Sequence, residues 1–264
     1  MAAAESRAAI PLRPALTVTE EELLVLTHGD LGVVPPRIEL PADTDQRDLA
    51  LSVATRSLMA RGLVTPEPPE GSRPYPSGVT SELADAAAWV ASEPLGLTLC
   101  LRSLAPCVLA LQRVLGPYPG GAADPSVATR YLHLHPGIAV LEDVTDHGMH
   151  SLLTIEREHW ERAVADFIVP SDAEPGTGPV RVLGTGEGAV SELLTDLGHP
   201  TVLVEAAALL PDGVRSRMVA LGPGGTFVSE DSQAYRPTAL REMITELLQQ
   251  TEAALSEESA TMGE

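Results

Sequence analysis

The chain has 264 residues, with 17 Arg and no Lys against 37 Asp plus Glu, so its formal net charge is -20. That balance leaves little to neutralise phosphates and excludes a nucleic-acid binder, and it opposes docking to an anionic membrane. Without Lys there is neither a Walker phosphate loop nor a Schiff-base nucleophile.

Apolar residues make up 44%, which is ordinary for a globular protein, and the length suits one large domain or two small ones. No apolar run reaches the roughly 18 residues of a membrane span. Met1 to Ala9 carries Glu5 and Arg7 and is followed by Pro11 and Pro14. It lacks the basic start and apolar stretch of a signal peptide, so a cytoplasmic protein is expected. Cys100 and Cys107 read as a pair of buried thiols. The absence of Lys and Asn, the residues with the most AT-rich codons, points to a GC-rich genome.

In chain order, residues 1–15 read as a disordered tail. Thr19 with Glu22 three residues on is a capping box opening a short helix that ends near His28-Gly29. Pro35-Pro36 keep Val33 to Ile38 extended. Asp43 to Arg61 predicts a helix with Leu51, Ala54, Leu58 and Met59 on one face and Gly62 as terminator. Pro66 to Ser77 is a Pro/Gly loop, and Thr80 to Ser92 starts another helix. Leu95 to Leu104 and Pro106 to Leu115 read as strands, and Pro117 to Pro125 as a second loop.

From Thr129 the apolar residues alternate with period two as far as His135. Pro136-Gly137 make a turn, and Ile138 to Leu141 and His150 to Ile155 are further strands. Thr154 is placed as the cap of a helix with Trp160, Val164, Phe167 and Ile168 on its apolar face, closed by Pro170. Ser171 to Pro179 is a linker. Val180 to Leu183 leads into Gly184-Thr185-Gly186-Glu187-Gly188 and a helix from Ala189 to Leu197. Thr201 to Leu210 stays open between helix and strand. Met218 to Leu221 and Thr226 to Ser229 flank a Gly222-Pro223-Gly224-Gly225 hairpin turn. Pro237 to Leu255 predicts a helix with Pro in its first turn, followed by an acidic tail over 256–264. Tyr131 to Ile168 and Arg217 to Leu248 share the order strand, Gly turn, strand, helix, which suggests two similar α+β halves.

Two constellations could carry chemistry. Gly184, Gly186 and Gly188 with Glu205 resemble the glycine turn and acidic ribose ligand of an S-adenosylmethionine or NAD fold, set against a flexible Gly linker. Only 26 residues separate Val180 from Glu205, counted inclusively, which is short for a strand-helix-strand unit. His133 and His135 on one strand face with Glu142 could begin a metal site, among His147, His150 and His159. No His-Glu-x-x-His and no Gly-x-Ser-x-Gly occurs. On this reading the chain needs no catalytic residue, cofactor or metal.

Leu16-Thr-Val-Thr-Glu-Glu-Glu-Leu-Leu-Val-Leu, Gly32-Val-Val-Pro-Pro, Leu58-Met-Ala-Arg-Gly-Leu-Val64 and the break Ser92-Glu-Pro-Leu-Gly-Leu-Thr-Leu, in that order, resemble the EspG-type chaperones of actinobacterial type VII (ESX) secretion. The resemblance runs from about residue 16 to 250. It implies an α+β fold, with a central, mostly antiparallel sheet and helical subdomains in two quasi-symmetric halves at about 16–170 and 180–255. It implies a single domain over 16–255, and a cytosolic chaperone, monomer or homodimer, that binds a helical secretion substrate of the PE/PPE or WXG kind. The exposed side of the hairpins, Tyr131 to Leu141 and Met218 to Val228, together with the final helix, is then the expected client surface, with Tyr131, His133, His135, Met218 and Phe227 as its protein-binding residues.

Overall fold

The computed structural model describes residues 16–66, 89–115, 126–168 and 174–261. The tails, most of the two Pro-rich loops, residues 80–88 of the expected third helix, Pro170 and the start of the linker lie outside them. Among the described residues, six helices and a ten-stranded sheet make an α+β protein, in which two compact units are distinguished.

The smaller unit spans Leu16–Leu104 and Thr145–Leu152. Strand β1 (Leu16–Thr19) pairs antiparallel with the first half of β7 (Met149–Glu156). Helix α1 (Glu20–Leu26) opens on the predicted capping box, Glu22 N–H donating to Thr19 Oγ1 at 3.2 Å and Thr19 N–H to Glu22 Oε2 at 3.0 Å. Asp43 caps α2 (Thr44–Ala60), and Gly62, at φ +68°, takes the left-handed conformation that ends it.

Two assignments change here. Val90 and Ala91 belong to strand β3 (Trp89–Ala91), paired with β2 (Val64–Pro66), where a helix was expected. Leu95–Leu104, expected as a strand, is mostly helix α3 (Glu93–Ser103) with Pro94 in its first turn. The leucines at 95, 97, 99 and 101 mimic strand alternation. The helix follows the 3.6-period set, burying Leu95 and Arg102 and half-burying Leu99, while Leu97 stays exposed. Cys100 lies on the exposed side and Cys107 is buried, so the expected buried pair is one of each.

The larger unit holds two four-strand meanders, each ending in a helix. The first is β4 (Cys107–Leu115), β5 (Ser126–His135), β6 (Ile138–Val144), the second half of β7, and α4 (Trp160–Ile168). The second is β9 (Val202–Leu210), β10 (Gly213–Gly222), β11 (Gly225–Ser229), β12 (Ala234–Pro237) and α6 (Leu240–Thr261), preceded by β8 (Arg181–Val182) and α5 (Ala189–Asp196). The strand order is β1-β7-β6-β5-β4-β9-β10-β11-β12-β8. The order therefore reads alike outward from the central antiparallel pair β4/β9, where Leu111 faces Ala206.

Residues 130 and 217, 136 and 223, and 143 and 230 are each 87 apart. Arg, Pro and an acid recur at these equivalent places around two Pro-Gly turns. This is the duplication that the shared element order suggested.

One face of this sheet is the core. Leu109, Leu111, Leu132, Leu134, Val204 and Val219 pack under Trp160, Val164 and Ile168 of α4 and Met243, Ile244 and Leu247 of α6. Each such side chain contributes about 1.5–3 kcal/mol of burial. Helix α4 is described over nine residues and carries no basic residue in its last described turn. Arg113 and Arg130 flank the Phe167 ring at 4.9 and 5.0 Å and donate to the carbonyls of Phe167 and Ala163, so the sheet supplies the cations that the helix end lacks. Burial, with Arg130 alongside, pushes Arg113 below the usual arginine range. In the other half, small Ala206 and Ala208 lie beneath the longer α6, and the undecided run Thr201–Leu210 is strand from Val202 because it sits at the sheet centre. Thr154 lies within β7 and caps nothing; a 3-10 turn over Arg157–His159 precedes α4. Pro237 ends β12 beyond Ala234 and Tyr235, the residues that the edge strand β8 pairs with, and α6 starts three residues later.

Candidate functional site

The glycine turn does not build a nucleotide site. Strand β8 is two residues long and pairs antiparallel with β12. The strand following α5 is β9, four places away in the sheet, about 19 Å at normal strand spacing. No parallel strand-helix-strand unit forms, so Gly184, Gly186 and Gly188 are not brought to Glu205. Gly186 and Gly188 adopt φ +106° and +94° with open space around them, and Gly188 stands at the start of α5. They serve a turn with no close backbone approach.

The histidines also separate. His133 Nε2 lies 2.7 Å from Glu142 Oε2, with both side chains buried, while His133 Nδ1 has no hydrogen-bond partner among the described residues. His135 is half-buried and His147 exposed. His150 lies 3.8 Å from Glu20 in the smaller unit, and His159 pairs loosely with Glu158 at 3.5 Å. Among the described residues no three His, Cys, Asp or Glu side chains form a cluster able to hold a metal ion.

Of the five residues expected on a binding face, Tyr131, His133 and Phe227 are buried. Tyr131 packs beside His133 with ring centroids 6.3 Å apart. Phe227 lies under α5 with Leu193, Leu197, Ala220 and Tyr235. These three are corrected from surface to interior. His135 and Met218 remain half-exposed.

Strand alternation still leaves an open face. Opposite the α4/α6 core, β4 presents Ala110, Gln112 and Val114, β9 presents Leu203, Glu205, Ala207 and Leu209, and β10 presents Ser216 and Met218. Gln112, Glu205 and Ser216 are exposed and the rest half-buried. In the ladders Ala110 faces Ala207, and Glu205 lies between Gln112 and Met218. Helix α5 closes one end of this face, with Leu203 and Met218 against it. The result is a shallow patch, apolar at most positions, with a two-alanine floor that lets a backbone approach closely. Gln112 and Glu205 were missed as its polar members. The available signal was a lone acid in the apolar run Val202–Leu210.

The smaller unit has an open groove of about 650 Å³ walled by Leu24, Val33, Pro35, Pro36 and Ile38. The Glu20 carboxylate on its lining accepts from the backbone N–H groups of Arg37 at 2.8 Å and Ile38 at 3.3 Å.

No protein-family model matches the chain, and no curated protein matches it in sequence. Its fold is similar to a solved structure, that of the Mycobacterium tuberculosis type VII secretion system chaperone EspG5 in complex with a PE25–PPE41 dimer. The TM-score is 0.54 at 10% identity, over 91% of this chain and 96% of that one. No helix among the described residues is long and apolar enough to cross a membrane.

Proposed function

We propose that this protein is a cytoplasmic chaperone of type VII secretion that holds a helical substrate of the PE/PPE or WXG kind on the open face of its central sheet. The observation that carries the reading is that face. Along β4, β9 and β10 this face is only partly covered by the described residues, with Ala110, Ala207, Leu203, Leu209 and Met218 half-buried, and part-exposed apolar patches of this sort mark binding surfaces. A helix laid there gains apolar contact, and the alanine floor brings its backbone near the sheet. The shared fold with a PE–PPE-binding chaperone supports the substrate class. A charge of -20 keeps such a protein dispersed beside an apolar client and favours a monomer.

The reading assigns no reaction, metal or cofactor. The dinucleotide alternative loses its frame, because β8 and β9 are not neighbours. Co-expression with each PE–PPE and WXG pair of the same genome tests the proposal. One pair is expected to co-elute with the chain on size exclusion as a defined complex, and failure with every pair overturns it.

A further inference from the structure

Glu205 is the charged residue at the centre of the open face. It sits on β9 with Gln112 and Met218 as its lateral neighbours and Leu203 and Ala207 as its neighbours along the strand. The residue is exposed, and its carboxylate makes no ion pair or hydrogen bond among the described residues. All four arginines of the four central strands, Arg113, Arg130, Arg215 and Arg217, fall at positions of the opposite face. The equivalent position in the first half is Ala110, so the carboxylate is not part of the repeated scaffold. Glu is also a poor strand former, and no side-chain bond among the described residues uses this one.

A partner that covers the face must strip water from this carboxylate. An unpaired carboxylate resists burial strongly, so an all-apolar helix is rejected and a helix bringing a cation is accepted. We infer that Glu205 is the selectivity residue of this surface, and that the occupant is an amphipathic helix carrying an Arg or Lys in the middle of its apolar face. A second copy of the chain is the wrong occupant. It would set -20 against -20 and place acids near acids, since Glu205 lies beside the Leu111–Ala206 pair at the centre of the sheet. The inference rests on the proposed docking of a helix on this face.

The test uses the full chain carrying the photo-crosslinker p-benzoylphenylalanine at position 207, expressed in its native host, with mass-spectrometric sequencing of the crosslinked segment. The expected adduct is a helical segment with Arg or Lys within one turn of the linked residue. Glu205→Arg is then expected to weaken binding of that client about tenfold or more, and changing the client's cation to Glu to restore it. Glu205→Gln, which keeps size and fold, is expected to weaken binding less.

A linked segment without a basic residue, or unchanged affinity in both variants, overturns the charge selection and leaves the docking intact. No adduct from position 207, while the chain still co-elutes with a client, overturns docking on this face and the inference with it. No adduct and no co-eluting client overturns the proposed function as well.

Discussion

Arg130 and Arg217 stand 87 residues apart in the chain and in the same place in the two halves of the sheet, each six residues before a Pro-Gly turn. Each ties its strand to the helix that closes its half. Arg130 donates to the Ala163 carbonyl of α4 at 2.8 Å and bidentately to Asp143 at 2.6 and 2.8 Å. Arg217 donates to Glu246 of α6 at 3.0 Å and lies 3.8 Å from Glu230. Asp143 and Glu230 are themselves an equivalent pair, so an ion pair and a strand-to-helix tether recur together.

Arg130→Ala is expected to lower stability by about 2–3 kcal/mol, since it strands a half-buried carboxylate and removes the strand-to-helix bond to the Ala163 carbonyl. Arg236→Ala, whose side chain is 43% exposed and reaches Glu246 at 3.4 Å, is expected to lose under about 1 kcal/mol. Urea unfolding of the two variants checks this, and equal losses contradict the tether.

Glu20 is fully buried and holds the chain at Arg37 and Ile38 through two backbone N–H groups. Glu20→Ala leaves both donors without their acceptor and is expected to cost about 2–4 kcal/mol. Glu20→Gln keeps one acceptor oxygen and is expected to lose less. Hydrogen exchange at residues 37 and 38 should accelerate in the Ala variant before global unfolding, whereas uniform exchange across the unit goes against a local role.

Gly137 and Gly224 occupy equivalent turns for different reasons. Gly137 needs its φ of +84° and has open space around it, so Gly137→Ala is expected to cost about 1–2 kcal/mol of backbone strain. At Gly224 a Cβ would sit 2.4 Å from the Leu197 carbonyl and 3.0 Å from the Gly198 Cα. Gly224→Ala must therefore push the end of α5 off the hairpin. Its cost is expected at about 3 kcal/mol or more, with the larger fall in Tm by calorimetry.

Asp231 accepts from the backbone N–H groups of Ala234 at 2.9 Å and Gln233 at 2.8 Å, and from the Ser229 hydroxyl. These bonds hold its carboxyl below the usual range. A depressed carboxyl stabilises the fold above its unfolded value, about 3.9, and loses that contribution as pH falls through the lower folded value. Wild type is therefore expected to exceed Asp231→Ala in stability from neutral pH down to about pH 4, with the gap closing below. Denaturation midpoints across that range check it, and a gap that instead opens on acidification contradicts the hydrogen-bond account.

Much of the fold was legible because its signals are local. The Thr19 capping box, Gly62, the Pro-Gly turns and the alternation of Arg130 to His135 each act within a few residues, and each appears where it was read. The failures occurred where local signals conflicted. The leucines from Leu95 to Leu101 alternate like a strand, but Pro94 starts a helix and packing takes the residues four apart. Thr201 to Leu210 stays open between helix and strand for the same reason, and its alanines lie in a strand beneath α6.

By itself the sequence determined the caps, turns, strand alternation, acidic charge and the repeated order of elements, because these depend on neighbouring residues or on simple counts. Only the tertiary structure decided that Tyr131, His133 and Phe227 are interior, that the glycine turn and Glu205 are parted, and that Glu205 stands on a face only partly covered by the described residues. Those outcomes depend on which strands become neighbours and which sheet face receives helices. The central pair joins Leu111 to Ala206, 95 residues apart, and no periodicity over a few residues encodes that choice.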